Sequence, residues 1–256
     1  MLRELYTAAL GMLPRWTRLE VVANNLANLS TVGYRREAVF QQALIEAQQN
    51  LHNTAGDAEA ADVPIVGYTD FRPGALQKTG NPLDVAVEGP GFFVVRDALG
   101  PLFLTRRGRF LLQPDGRLTT PEGKEVLGVE GAPLRLPVEE EPQSTQPAAT
   151  LVVITPEGEL QYRQMPVGTF WIAHATPEVL QRVNGVEFAL APDAQLQSLQ
   201  PGQYTLHQGF VEGSNVNPIE ELVQLIELQR QFEVGQRVIR SNDTTLERSI
   251  EISRFV

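Results

Sequence analysis

An apolar residue recurs every seven positions at both ends of this 256-residue chain. Leu5, Met12, Leu19 and Leu26 form one stripe, and Leu2, Ala9, Trp16 and Ala23 form another three residues ahead of it. Toward the other terminus Leu225, Phe232, Ile239 and Leu246 repeat the spacing. Such a repeat is the pattern of helices packed along a seam. The stretch between them alternates like strands and is punctuated by Gly and Pro. The expectation is an α+β protein in which terminal N- and C-helices pair as a coiled coil around a central all-β domain. That layout suits a building block better than an enzyme.

Residues 2–28 read as helix, with Pro14 as the objection, because a helix-interior proline costs about 3 kcal/mol. With Leu2 at heptad position a, Pro14 falls at f, outside the seam, so the helix kinks or begins there with its stripe intact. Ser30, Thr31 and Gly33 close the segment, glycine being suited to the left-handed residue after a helix. The N-terminal helical segment is therefore 1–33. Residues 34–63 form a connector, in which Gln- and Ala-rich Val39–Asn50 could continue as helix and 53–62 has little to bury. At the far end Asn217–Pro218 opens a helix, since proline fits the first turn. Glu220 and Glu221 favour its positive pole. This helix, within a segment 212–256, runs to about Arg254, roughly 54 Å at 1.5 Å per residue.

Between these ends, residues 64–211 read as a β-rich domain. Leu83–Val87, Phe92–Arg96 and Leu102–Thr105 are short apolar runs separated by turn residues. Pro114–Asp115–Gly116 between Phe110–Leu112 and Arg117–Thr119 marks a hairpin, because Asp-Gly supplies the positive φ of a tight turn. Acidic, Pro-rich 138–150 reads as an exposed loop. Strand character returns at Leu151–Ile154, Thr169–Ala173, Val186–Leu190 and Tyr204–Val211.

Composition narrows the partners. The formal charge is −10, but residues 1–40 carry five arginines against three glutamates, so the acidic excess lies further on. An acidic body argues against nucleic acid. No apolar run nears the ~20 residues of a membrane span, so membrane insertion is not expected. The N-terminus has no apolar block with a small-residue cleavage site, so no cleaved signal is expected. Without cysteine there is no disulfide and no thiolate nucleophile.

Two stretches go beyond pattern. Residues 23–36 read ANNLANLSTVGYRR and residues 212–232 read EGSNVNPIEELVQLIELQRQF. Together they resemble the flagellar rod and hook family, the axial proteins of the bacterial flagellum. There an Asn-Asn-Leu-Ala-Asn segment followed by Gly and an aromatic closes the N-terminal helix, and Ser-Asn-Val-Asn opens the C-terminal one. LDVAVEGPGFFVV (83–95) and LTRRGRF (104–110) look like the family's β-domain signatures. The resemblance implies a hollow helical tube with the terminal helices inside and the β domain outside. It implies export through the flagellar type III apparatus without a cleaved signal, into a periplasm-spanning rod of the basal body. Partners would be copies of itself and other rod or hook axial proteins. The single modest β domain suits a rod subunit. A hook-type subunit and a transient rod assembly or scaffold factor are the alternatives, and a wall-degrading enzyme is the rival from another class.

Several residues are candidates for subunit contacts. Asn24, Asn25 and Asn28 occupy heptad positions b, c and f, off the seam, where amides fix register against a neighbour. Gly33 and Tyr34 form a cap or the hinge that turns the chain outward. Asn215 and Asn217 belong to the Ser-Asn-Val-Asn segment. Gln229 and Arg230 flank the Phe232 stripe, which continues through Leu225, Ile239 and Leu246. Together with Leu5, Met12, Leu19 and Leu26 these make up the expected assembly interface.

No cofactor, metal or small-molecule substrate is expected. Gly89–Pro90–Gly91 lacks the Lys-Ser/Thr of a phosphate loop. His52, His174 and His207 stand apart from any second metal ligand. Asp84 and Glu88, four residues apart on a strand, lie about 13 Å apart, too far for paired-carboxylate catalysis.

Overall fold

The computed structural model describes residues 13–41, 65–97, 100–137, 151–192 and 194–254. They hold two α-helices, α1 (Leu13–Ala27) and α2 (Pro218–Arg254), and eighteen strands. The chain divides into two compact units. The first holds described residues 13–27, 36–41, 65–70 and 216–254, and the second holds 28–35 and the described part of 71–215.

The first unit consists of the two helices and one antiparallel ribbon, β1 (Glu37–Gln41) with β2 (Ile65–Thr69), in register Glu37↔Thr69 to Gln41↔Ile65. Strand β1 replaces the start of the helix suggested for Val39–Asn50. Its consecutive Ala38, Val39 and Phe40 are held by pairing with a strand more than twenty residues away, which local composition does not reveal. Among the described residues the unit closes a small core. Val22, Val216 and Leu228 are buried, and an open cleft of about 330 Å³ remains, lined by Arg18, Val22, Arg36, Tyr68, Gln224 and Leu228.

The expected fold class does not hold. The described chain is mostly β-sheet, and its helices do not pair as a coiled coil. Helix α1 has 15 residues against 37 in α2, and the face it buries is not the seven-spaced stripe. Val22 and Asn25 are buried, Leu19 and Leu26 half-buried, Ala23 exposed, and Trp16 is 56% exposed. A coiled coil requires the a and d residues to interlock with the partner helix. Here α1 divides its inner face between α2 and the ribbon: Trp16 meets the Phe232 ring at 6.0 Å, while Asn25 binds the backbone of β1.

The second unit is antiparallel β throughout. Strands β3 (Leu76–Lys78), β4 (Val85–Glu88), β5 (Phe92–Arg96), β6 (Leu102–Thr105), β7 (Leu111–Leu112), β8 (Leu118–Thr119) and β9 (Glu125–Val126) precede residue 138. After residue 150 come β10 (Val152–Ile154), β11 (Glu159–Tyr162), β12 (Met165–Thr169), β13 (Ile172–His174), β14 (Leu180–Arg182), β15 (Glu187–Leu190), β16 (Gln197–Ser198), β17 (Thr205–Gln208) and β18 (Phe210–Glu212). The main sheet runs β14-β15-β6-β5-β9-β8-β7, with β13 also on β5, and β10-β11-β12 form a second sheet. β17 pairs with β4, and β18 with β3.

The unbroken apolar run of β5 reflects its central place, since a strand covered on both faces needs no polar alternation. Phe93 and Val95 face one cluster with Phe110, Leu160 and Phe170. Phe92 and Val94 face another with Leu104 and Phe188. The Asp-Gly hairpin forms as its sequence implies, pairing Leu111 with Thr119 and Leu112 with Leu118. Gly116 takes φ 81°, and Asp115 accepts a hydrogen bond from the Arg117 amide.

Candidate assembly site

The residues of interest fall into two buried polar clusters, one in each unit. In the first unit, Asn25 mimics a neighbouring strand. Its Nδ2 donates to Glu37 O at 2.7 Å and its Oδ1 accepts from Glu37 N at 3.0 Å. Asn25 Nδ2 also reaches Glu221 Oε2 at 3.3 Å, and Arg36 Nε donates to Glu221 Oε1 at 2.5 Å. Glu221 is fully buried. A buried carboxylate is costly unless its oxygens are matched, and here one oxygen takes an amide and the other a guanidinium. The cluster fixes α1, β1 and the first turn of α2 in one register. Asn217 caps that turn: its Oδ1 accepts from Ile219 N at 3.1 Å, and its Nδ2 donates to Glu220 Oε1 at 3.0 Å.

In the second unit, residues 28–35 pack against the β domain. Gly33 has φ 73° and donates to Glu212 O at 2.8 Å. A Cβ there would lie 2.5 Å from Arg107 N and 2.7 Å from Arg106 C. Both conformation and space therefore demand glycine. Tyr34 is fully buried, with the Arg182 guanidinium 5.2 Å from its ring centre. Arg35, 1% exposed, brings Nη1 to 2.6 Å from Glu212 Oε1, a close charge contact without hydrogen-bond geometry. The other oxygen of Glu212 accepts from Arg106 Nη1 at 3.3 Å, and Gly74 N donates to Oε1 at 2.8 Å. Arg106 also donates to Val87 O and Gly89 O and stacks over Phe92 at 5.2 Å. Two cations thus share one anion. Burial pushes the Arg106 guanidinium down to about 10, Glu212 opposes the shift, and the Arg35 charge adds to it.

The remaining candidates scatter. Leu225 and Phe232 lie half-buried on the inner face of α2 beside Glu221 and Leu228, whereas Gln229 and Arg230 are exposed. Asn24 is exposed on α1. Asn28 accepts from the Thr31 hydroxyl at 3.0 Å in the second unit, and Asn215 donates there to Arg72 O at 2.9 Å. Leu5 and Met12 lie outside the described residues, as do the side chains of Ile239 and Leu246. Asp84 and Glu88 are engaged separately, Asp84 buried against Asn81 and Glu88 on the surface with His207.

Sequence reasoning passed over Arg35, Arg36 and Glu212, and it read Glu221 only as a helix-dipole residue. The signal was present: a tandem Arg pair ends the first signature stretch, and Glu212 and Glu221 flank the Ser-Asn-Val-Asn of the second.

Those clusters are assembled from the stretches that known proteins share with this chain. Residues 5–35 match the model of the flagella basal body rod protein. Residues 86–162 match the D1 domain of flagellar hook protein FlgE/F/G, and residues 207–252 match the C-terminal part of flagellar basal body rod FlgEFG proteins. Over 97% of the chain, it is 30% identical to the basal-body rod protein FlgF of Mesorhizobium japonicum, covering 96% of that protein. The chain belongs to the flagellar basal-body rod family. FlgF of Salmonella typhimurium is 32% identical over 93% of each chain. FlgG of Bacillus subtilis is 28% identical over 99% of this chain and all of its own length. This rod-family chain is a structural subunit, and its place is the flagellar basal body. In family terms the first cluster joins the N-terminal match (Asn25) to the C-terminal match (Glu221). In the second, Arg35 and Glu212 make the same junction, with Arg106 from the D1 match.

Proposed function

We propose that this rod subunit builds a hollow axial tube together with copies of itself and other rod or hook axial proteins, after export through the flagellar type III apparatus without a cleaved signal. Its helical unit supplies the contacts and the β unit sets spacing. The carrying observation is the buried Asn25–Arg36–Glu221 cluster. It holds residues from the two terminal matches in one register before any neighbour arrives, so that the candidate contact residues Leu19, Asn24, Leu26, Gln229 and Arg230 are presented in fixed positions. Asn25 serves the interface from within, by holding α1. Gly33, Tyr34 and Asn215 serve it by anchoring chain segments in the β unit. Leu5, Met12, Ile239 and Leu246 are kept as further candidate contact residues.

The test is complementation of a strain lacking the native subunit with the Glu221→Ala chain. Rods are counted in isolated basal bodies by electron microscopy, and the exported protein is measured in the medium. The expected result is loss of complete rods with export retained. Normal rods with the variant incorporated would sink the proposal.

A further inference from the structure

The chain holds one Asn-Gly pair, Asn184–Gly185, and one Asp-Gly pair, Asp115–Gly116. Such dipeptides cyclise readily, because glycine has no side chain to shield its amide nitrogen from the preceding side-chain carbonyl. The fold treats the two pairs differently. Gly116 N donates to Gln113 O at 2.9 Å inside the hairpin turn. The backbone amide and the guanidinium of Arg117 hold the Asp115 carboxyl below its ordinary range, so it stays an ionised and poorly electrophilic carboxylate. Gly185 N, in contrast, has no hydrogen-bond acceptor among the described residues, and Asn184 is exposed. Asn184 Oδ1 accepts from Val186 N at 3.1 Å and from Glu187 N at 2.9 Å. Two backbone donors on a carbonyl oxygen favour the negative charge that grows there when its carbon is attacked. Asn184 Nδ2 donates to Glu187 Oε2, which also receives Lys124 Nζ at 2.6 Å.

We propose that Asn184 is a self-modification site, at which the Gly185 nitrogen attacks the Asn184 side-chain carbonyl and closes a succinimide. The bond from Gly185 N to Asn184 Cγ forms, the Cγ–Nδ2 bond breaks, and Nδ2 leaves as ammonia carrying the Gly185 proton. Water then opens the ring at either carbonyl, leaving aspartate or, with one extra backbone carbon, isoaspartate. No oxidant or reductant is involved. Either product carries a new carboxylate beside Glu187, which is 2% exposed, and a second anion next to a buried one served by a single lysine is costly. The same turn seats the segment that follows α1 in the chain. Arg182 donates to Gly185 O at 3.1 Å and to Arg35 O at 2.6 Å, and its guanidinium lies 5.2 Å from the Tyr34 ring centre. Conversion therefore loosens the hold on Tyr34 and Arg35 as the subunit ages.

Chromatographic peptide mapping with mass spectrometry tests it. The purified full chain is held at physiological temperature in mildly alkaline buffer, native or unfolded in urea, and conversion at positions 184 and 115 is followed. Position 184 is expected to convert ahead of 115 in both, with the ratio of the two rates about tenfold larger in the native chain. Gly185→Ala is expected to slow conversion at 184 about tenfold and to melt with the parent, since a Cβ there meets the Tyr34 ring at an ordinary 3.4 Å. The aged chain and Asn184→Asp should both melt below the parent. Asn184 left intact in the native chain while the urea-unfolded chain converts, or a ratio no larger than in urea, overturns the proposal. So does an aged, converted chain that melts with the parent. These three readings use the unaltered chain and stand whether or not Gly185→Ala folds.

Discussion

The two units differ in how much apolar core they close. The β unit buries a large one, with Phe93, Phe110, Phe170 and Phe188 each at most 1% exposed, although Leu76, Leu111, Val129, Val153, Met165 and Val183 stay exposed. The helical unit buries Val22, Val216 and Leu228 and leaves Trp16, Tyr68, Ile219, Leu222, Val223, Ile226 and Val234 about half exposed or more. A two-stranded ribbon is marginal alone, and most helical stability comes from packing an apolar face. The β unit has the core of a self-sufficient domain. Among its described residues, the helical unit sets a buried polar cluster beside a small apolar core. The clusters differ in the same sense: Glu212 compensates two arginines deep in a core, while Glu221 serves one arginine and one amide beneath an open cleft.

The largest expected effect falls on the β unit. Glu212→Ala leaves Arg35 and Arg106 buried without their anion and should destabilise that unit by about 3–5 kcal/mol, seen as a lowered melting transition of the full chain. An unshifted melt would remove the cluster from the stability argument. Gly33→Ala should cost about 1–3 kcal/mol from backbone conformation, with added strain from the Arg106–Arg107 backbone. A smaller loss should appear in acid. Glu125 is held below its ordinary carboxylate range first by its hydrogen bond from Arg117 and then by Arg96, at 2.6 Å and 3.1 Å. A depressed carboxylate stabilises above its unfolded pKa and loses that contribution as pH falls through the folded value. The melting temperature should therefore decline below about pH 4.5, and Glu125→Gln should flatten the decline.

In the helical unit, Asn217→Ala should cost about 1 kcal/mol through the lost cap, read by helical circular dichroism on melting. Smallest of all, Ile226→Asp should change the stability of the free chain by no more than about 0.5 kcal/mol while abolishing rod assembly. A large destabilisation by this variant would mean that Ile226 is packed within the chain, and the contrast between the units would fail.

The β unit was the more legible half. Its strands β5 and β6, its Asp-Gly hairpin and the start of α2 follow from local rules: apolar runs, turn residues and a helix-opening Asn-Pro. The helical unit misled because a seven-residue spacing says only that a stripe exists. Which residues of α1 are covered depends on the β1–β2 ribbon, whose strands are separated by a long connection and leave no periodic trace beside the helix. Asn25 illustrates this. At heptad position c it reads as an outward amide, yet it is buried because the Glu37 backbone passes beside it. The ion pairs were invisible for a related reason. Arg36 and Glu221 are 185 positions apart, Arg106 and Glu212 106 apart, and attraction over such separations leaves no local pattern. Only the shared signature stretches hinted at them.

Arg35 and Arg36 are neighbours in the chain, yet one is fastened to Glu212 within the β unit and the other to Glu221 within the helical unit. Each contact is made inside its own unit. Two identical neighbours therefore have separate tasks. Replacing either arginine removes a contact from one unit and leaves the other unit's ion pair in place.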